Sequence, residues 1–424
     1  MTALADPGLA ETQAESFSPS RAGPAHGEPP TAPPPGPALS PFLQGLRFSP
    51  ADAPSLTGES PLRPILGPNS VLTSVGERHL RQRRLLLPPF HGEAVQRYVA
   101  MITEVAEREL DGWVVGEAFA LAPRMQAVTL EVIMRGVFGI DGDCGRGSGS
   151  TAERRMRETI RRLLAASTTP LYQLVELRNA GSREPRDLLA ALLRIVDRQM
   201  YAVIRARRQS SSAGRDDVLS LLLQARDEDS EPLTDRELRD QLMSLVLAGH
   251  ETTANSLAWT FERLLRNAHA YRELRDRVRG GGGAAYVEAT IHESMRVRPV
   301  IPMIVRMVMR PWRLGDYVLP PRTPVAVSIL GLHHRDDVYP RPQEFRPERF
   351  LERKPGTYTW IPFGGGIRRC LGATLAMAEQ RVVLETIARR TDLEALDVAP
   401  EAPRMRNVTM IPRHGCRVRV LALS

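Results

Sequence analysis

One stretch governs what this chain can fold into: an unbroken helical pattern from Thr234 to about Arg266. Thr234-Asp-Arg-Glu237 has the form of a capping box, with a threonine at the N-cap and a glutamate three residues on. A helix of about 33 residues spans about 50 Å at 1.5 Å per residue. Such a rod crosses most of a globular fold, so the other elements must pack around it. Apolar residues at spacings of three and four predict further helices at about 77–86, 93–111, 124–138, 153–166 and 186–208. The first of these stops at Pro88-Pro89, which cannot continue a helix. Beyond Pro299 the texture changes. WRLGDYVLP and TPVAVSILG alternate with turn residues, and the tail RNVTMIPRHGCRVRVLAL reads as a pair of β-hairpins. The expected fold is mainly α with minor β.

Residues 1–40 are rich in Pro, Ala and Gly and are expected to form a disordered leader, ahead of a single domain over 41–424. Gly142–Ser150 reads as a glycine-rich surface loop. The net charge of +8 comes from arginines spread along the chain, with Lys354 as the only lysine. No clustering or motif points to nucleic acid. No apolar run is long enough to span a membrane, and the acidic N-terminus lacks the features of a secretory signal. Cys144, Cys370 and Cys416 lie far apart, in no zinc-like or disulfide pattern. A bacterial cytoplasmic protein is expected.

Cys370 has the most informative surroundings. Phe363, Gly364, Gly366, Arg368, Cys370 and Gly372 spell F-G-x-G-x-R-x-C-x-G, and a helical pattern follows at once. A cysteine at a helix N-terminus is biased toward thiolate by the dipole and free N–H groups. The glycines let the backbone pass close to a flat ligand, and Arg368 is placed to pair with a carboxylate. Within the long helix, AGHETT at 248–253 sets an acid beside an alcohol, Glu251 and Thr252. Glu293-Ser-Met-Arg296 places a carboxylate and a guanidinium at i,i+3, and FRPERF follows at 345–350. GERHLRQRR at 76–84 brings His79 and Arg83 to i,i+4 on a basic helix.

Together, and in this order, these stretches resemble the cytochrome P450 family, and its soluble bacterial members in particular. The resemblance covers about 60–420. It implies a triangular fold with the long central helix over a haem b (iron protoporphyrin IX) and the cysteine loop beneath it. Cys370 would be the axial iron ligand. His79, Arg83, Arg306 and Arg368 would bind the haem propionates. Glu251 and Thr252 would relay protons to bound oxygen, with Gly249 loosening the helix above the haem. Glu293, Arg296 and Arg349 would form a buried structural network. Leu245, Ala248 and Gly249 would face substrate, and Met303, Ile304 and Met410 suggest that substrate to be a lipophilic small molecule. The implied activity is monooxygenation, with electrons from NAD(P)H through a separate ferredoxin or flavodoxin docked on a basic proximal face that includes the other arginines of the 77–86 helix. A monomer is expected. Two other readings are a peroxide-driven peroxygenase, which would not need the Glu251–Thr252 pair, and a non-catalytic haem-binding or partner-recruiting protein. The second is prompted by a departure from the family: several dozen residues are missing between about Phe48 and Gly58.

Overall fold

The computed structural model describes residues 60 and 62–424, apart from 141–150, 168, 180–181 and 211–214. The leader, the shortened region near 48–58, the 142–150 loop and Cys144 lie outside the described residues.

The chain opens with a short helix α1 (Arg63–Leu66), the basic helix α2 (Gly76–Leu86) and α3 (Glu93–Asp111). After strand β1 (Ala118–Ala120) come α4 (Leu121–Phe138), α5 (Thr151–Ser167), α6 (Pro170–Asn179), α7 (Asp187–Gln209) and α8 (Val218–Gln224). The long helix is α9 (Asp235–Leu265), and its capping box is formed as expected: Glu237 N–H donates to Thr234 Oγ1 at 3.2 Å and Thr234 N–H to Glu237 Oε2 at 3.0 Å. Then follow α10 (Ala268–Arg279) and α11 (Ala284–Val297).

The β component is small. Strands β2 (Met303–Met307) and β5 (Pro324–Ser328) form one antiparallel pair, around the hairpin of β3 (Trp312–Leu314) and β4 (Tyr317–Leu319). Short helices α12 (Ile329–His333) and α13 (Arg349–Glu352) lead to the cysteine loop and to α14 (Ala373–Arg390). β6 (Thr391–Ala395) joins β9 (Arg417–Leu423) and β1 in a sheet of order β1-β9-β6. The tail therefore holds one hairpin rather than two: β7 (Pro403–Arg406) pairs β8 (Thr409–Pro412), while β9 leaves to complete the other sheet. Alternating burial along β9 suits that central position, with Val418 and Val420 inward.

Helix α9 threads two apolar cores. Its first half gives Leu238, Leu242, Met243 and Val246 to a cluster with α2, α4, α5, α7 and α8. Its second half gives Ala254, Leu257, Ala258, Phe261 and Leu264 to a cluster with α3, α10, α11 and α14. AGHETT falls at the seam between them. The helix runs unbroken through Gly249, so the expected loosening is absent. The missing side chain serves packing instead: a Cβ there would lie 2.7 Å from Ile133 Cδ1 on α4. Gly249→Ala should be near neutral, because that methyl can swing aside and alanine favours the helix by about 1 kcal/mol. Gly249→Val should cost about 1–3 kcal/mol through overpacking, relieved by Ile133→Ala. Urea unfolding of the three variants checks this.

Candidate functional site

The cysteine loop turns back on itself at Gly364 (φ +69°) and Gly366 (φ +62°), where a side chain would be strained. Cys370 N–H donates to Phe363 O at 2.9 Å and closes the loop. Helix α14 begins only at Ala373, with Gly372 at its N-cap, so Cys370 stands two residues ahead of the cap rather than on the first turn. Its thiol is open to solvent yet ringed by protein. That crowding pushes the thiol up, against the pull of the Gly372 N–H, Arg369 and Arg83 toward thiolate. A coordinating metal ion outweighs such a penalty, since it deprotonates its thiol outright.

Helix α2 is tied to this loop along its length. His79 and Arg83, one turn apart, reach successive parts of it: His79 Nε2 lies 3.2 Å from Ile367 O, and Arg83 Nη1 donates to Arg369 O at 2.7 Å. Arg368 reaches back, donating to Val71 O at 3.0 Å, to Ser74 O and to His79 Nδ1 at 2.9 Å. Burial, then Arg368, pushes His79 down to about 4, so the ring is neutral with one N–H. Nδ1 faces both Arg368 and Val71 O, at 2.9 and 3.0 Å, and Nε2 faces Ile367 O, so both ring nitrogens are engaged by the chain. Protons therefore bind the unfolded chain more tightly than the folded one between 6.5, the unperturbed value, and about 4. The haem-free protein should lose stability as pH falls through that window, with His333, pushed down to about 3 by burial, adding to the slope. His79→Gln should remove its share of the slope in urea midpoints, and an unchanged slope would contradict the assignment.

Arg306 extends from β2, whose Ile304 lies against Gly364 of the loop. Burial lowers its pKa, and Arg368 is pushed down to about 10 by burial and then by Arg306 and Arg83. No carboxylate pairs with Arg83, Arg306 or Arg368 among the described residues, and Arg368 Nε is buried with no hydrogen-bond partner. Three half-buried guanidiniums without a counterion fit a ligand that brings its own carboxylates, and the positive-φ glycines beside Cys370 fit a flat one. Of the other arginines of α2, the exposed Arg78 meets Asn69 and no carboxylate among the described residues. Arg81 pairs with Asp227 and Glu237, and Arg84 with Glu228, so these two are neutralised within the chain rather than left for an acidic partner.

Above the seam, most of α9 is buried, but Leu245, Ala248, Gly249 and Thr252 retain exposure. Their i, i+3, i+4, i+7 spacing makes one stripe on one face. Thr252 Oγ1 donates back to Ala248 O at 2.7 Å. Glu251 points elsewhere, as adjacent helix residues must: its Oε1 accepts from Arg406 Nε at 2.8 Å and from Thr409 Oγ1 at 3.1 Å. No hydrogen bond joins Glu251 and Thr252 side chains among the described residues. Motif spacing gave no signal for Arg406 or Thr409, because both come from the distant β7–β8 hairpin. Of the apolar residues expected near substrate, Met303 is exposed, whereas Met410 is buried in the core with its carbonyl accepting from Trp259 Nε1 at 2.9 Å.

The buried network is present. Glu293 and Arg296 are both 0% exposed and meet through two bonds of 2.7 Å. Arg296 also donates to His333 O, Pro342 O and Glu344 O, and Arg346 N–H donates to Glu293 Oε1 at 2.9 Å. Arg349 Nε lies 3.5 Å from Glu293 Oε2, at ion-pair distance, while its Nη1 holds Pro340 O. One helix thereby fastens the irregular chain leading into the cysteine loop.

A family model described as Cytochrome P450 matches residues 62–417. A Mycobacterium tuberculosis protein named cytochrome P450 137 is 39% identical over 364 residues, covering 85% of this chain and 75% of that one. Cytochrome P450 135B1 of Mycobacterium bovis is 38% identical over 371 residues, 86% of this chain and 76% of its own. Both names are marked provisional. Among solved structures, retinoic acid-bound cyanobacterial CYP120A1 superimposes with a TM-score of 0.74 at 22% identity, covering 91% of this chain and 88% of that one. The heme domain of cytochrome P450DA gives 0.74 at 23% identity, over 91% and 87%. At such identity the likeness speaks to the fold. No helix among the described residues is long and apolar enough to cross a membrane. Family model and bacterial relatives agree over the same stretch: this chain belongs to the cytochrome P450 family, enzymes whose cofactor is haem.

Proposed function

We propose that this chain inserts one atom of O2 into a lipophilic small molecule, by hydroxylation or epoxidation, with single electrons from a separate ferredoxin or flavodoxin reduced by NAD(P)H. The observation that carries this reading is the exposed Cys370 beside three guanidiniums that lack a counterion. Cys370 would hold the haem iron, and Arg83, Arg306 and Arg368, with His79 supporting Arg368, would hold the propionates. When bound, the haem supplies oxygen activation, which a cysteine thiolate ligand biases toward O–O cleavage.

The remaining chemistry belongs to the chain. The stripe of Leu245, Ala248 and Gly249 gives an apolar surface that orients substrate and excludes water. O–O cleavage consumes protons, so a titratable group and a hydroxyl are needed nearby. Glu251 takes a proton from solvent at its carboxylate, and Thr252 holds one at Oγ1 once that hydroxyl leaves Ala248 O. The exposed Arg369 of the cysteine loop and Arg78 of α2 are left to meet an acidic electron donor after Arg81 and Arg84 are spent on internal pairs.

The test combines the carbon monoxide difference spectrum of the reduced protein with 18O2 turnover over a panel of fatty acids, terpenoids and polyketides. A thiolate-type Soret band and one 18O atom in product are expected. Haem-loaded protein without that band would overturn the role of Cys370. A band with neither NAD(P)H consumption nor product from any panel member would favour the non-catalytic reading, and product only with added peroxide the peroxygenase.

A further inference from the structure

The clamp on Glu251 is built from one tight turn. Arg406 and Thr409 are register partners that close the β7–β8 hairpin, and Asn407 between them has a left-handed φ of +52°. Arg406 meets the Glu251 carboxylate through Nε at 2.8 Å and Nη2 at 2.5 Å, both on Oε1, and Thr409 Oγ1 reaches the same oxygen. Oε2 takes no hydrogen bond among the described residues. The turn also touches a second carboxylate: Asn407 Nδ2 donates to Glu176 Oε2 on α6 at 3.4 Å. Burial and then the Glu251 charge push the Glu176 carboxyl up. His250, the neighbouring titratable residue on α9, is buried and turned to Val246 O. Arg406 is thus the cation on Glu251, while Asn407 of the same turn reaches the carboxylate on the second helix.

A carboxylate on a three-bond side chain passes protons well only if it is held at one place, and rotamer freedom works against that. We propose that Arg406 is a positioning residue for proton delivery: with Thr409 it pins Oε1 of Glu251 and leaves Oε2 as the oxygen that takes and passes the proton toward Thr252. The inference rests on the monooxygenase reading. Because Glu176 hangs on the same turn, the hairpin also couples α6 to the acid of α9.

The experiment uses the full haem-loaded chain with a plant-type [2Fe–2S] ferredoxin and its NADPH reductase, without added substrate. Two electrons and two protons reduce O2 to hydrogen peroxide, and four of each reduce it to two waters. The share of NADPH electrons recovered as peroxide therefore reads proton delivery. Arg406→Met should raise that share at least about threefold, a modest part of what a positioned acid contributes. Arg406→Lys should recover most of the wild-type value. The double variant Arg406→Met with Glu251→Gln should match Glu251→Gln alone, since a residue acting only through Glu251 has nothing left to act on. An unchanged peroxide share in Arg406→Met, or additive effects in the double variant, overturns the proposal. Retention of the thiolate-type carbon monoxide band in Arg406→Met keeps this outcome separate from any failure at Cys370. Thermal unfolding checks the hairpin. If Arg406→Met unfolds, Thr409→Val removes the second pin alone and must raise the peroxide share in the same direction, its failure being equally decisive.

Discussion

Cys370→His should keep part of its haem, lose the thiolate-type carbon monoxide band and bring O2-dependent product formation to background. Imidazole is a competent iron ligand, and the arginines proposed to hold the propionates do not depend on the sulfur, so cofactor retention is expected. What is lost is the electron donation that favours O–O cleavage. The loop has no other group to supply it: Cys416 is buried elsewhere, with burial pushing its thiol far up. Haem content by pyridine haemochrome, the reduced carbon monoxide spectrum and product yield are read on one sample. Undiminished turnover in a variant that lacks the band would contradict the assignment.

The second large effect is at Glu293. Glu293→Gln leaves Arg296 and Arg349 facing each other across a site that is 0% exposed at Glu293 and Arg296. Removing one partner of a buried pair costs about 3–5 kcal/mol, because the remaining charge keeps its desolvation penalty and loses its compensation. Whole domains are stable by only about 5–15 kcal/mol. The variant should therefore melt well below the parent and accumulate without haem, since the chain leading to Cys370 hangs on Arg296 through three carbonyls. Glu293→Asp should fail too: the two 2.7 Å bonds need the longer side chain. Circular dichroism melting and haem-to-protein ratio check both variants, and an unchanged melting temperature in Glu293→Gln would contradict the role of the trio.

Features written in local spacing were legible from the sequence. The capping box at Thr234 placed the start of α9 to the residue, and apolar periodicity placed α3 at Glu93–Asp111. The Glu293–Arg296 pair followed from i,i+3 spacing, and its link to Arg349 from the resemblance. Features set by distant contacts were not legible. Glu251 is clamped by a residue 155 positions away, which no helical spacing rule reaches. Gly249 looked like a weak point in a helix, yet its reason is Ile133 on another helix. Arg81 and Arg84 looked free until the turn after α8 brought Asp227 and Glu228 beside them. The tail carried alternation enough for strands, but which sheet β9 joins depends on β1, some 300 residues earlier.

The cluster of Arg83, Arg306 and Arg368 has a consequence for how the protein comes into being. Arg368 is repelled by both Arg306 and Arg83, and on the proposed reading the anion that balances them would arrive with the cofactor. Haem would then be a counterion as well as a catalyst. By mass action a ligand at a hundredfold excess over its Kd adds about 2.7 kcal/mol to the folded state. The level of this enzyme in a cell would follow the haem supply, with unfilled chains the first to be cleared. Phosphate or sulfate in the purification buffer would stand in for part of that missing charge and steady the chain until haem is supplied.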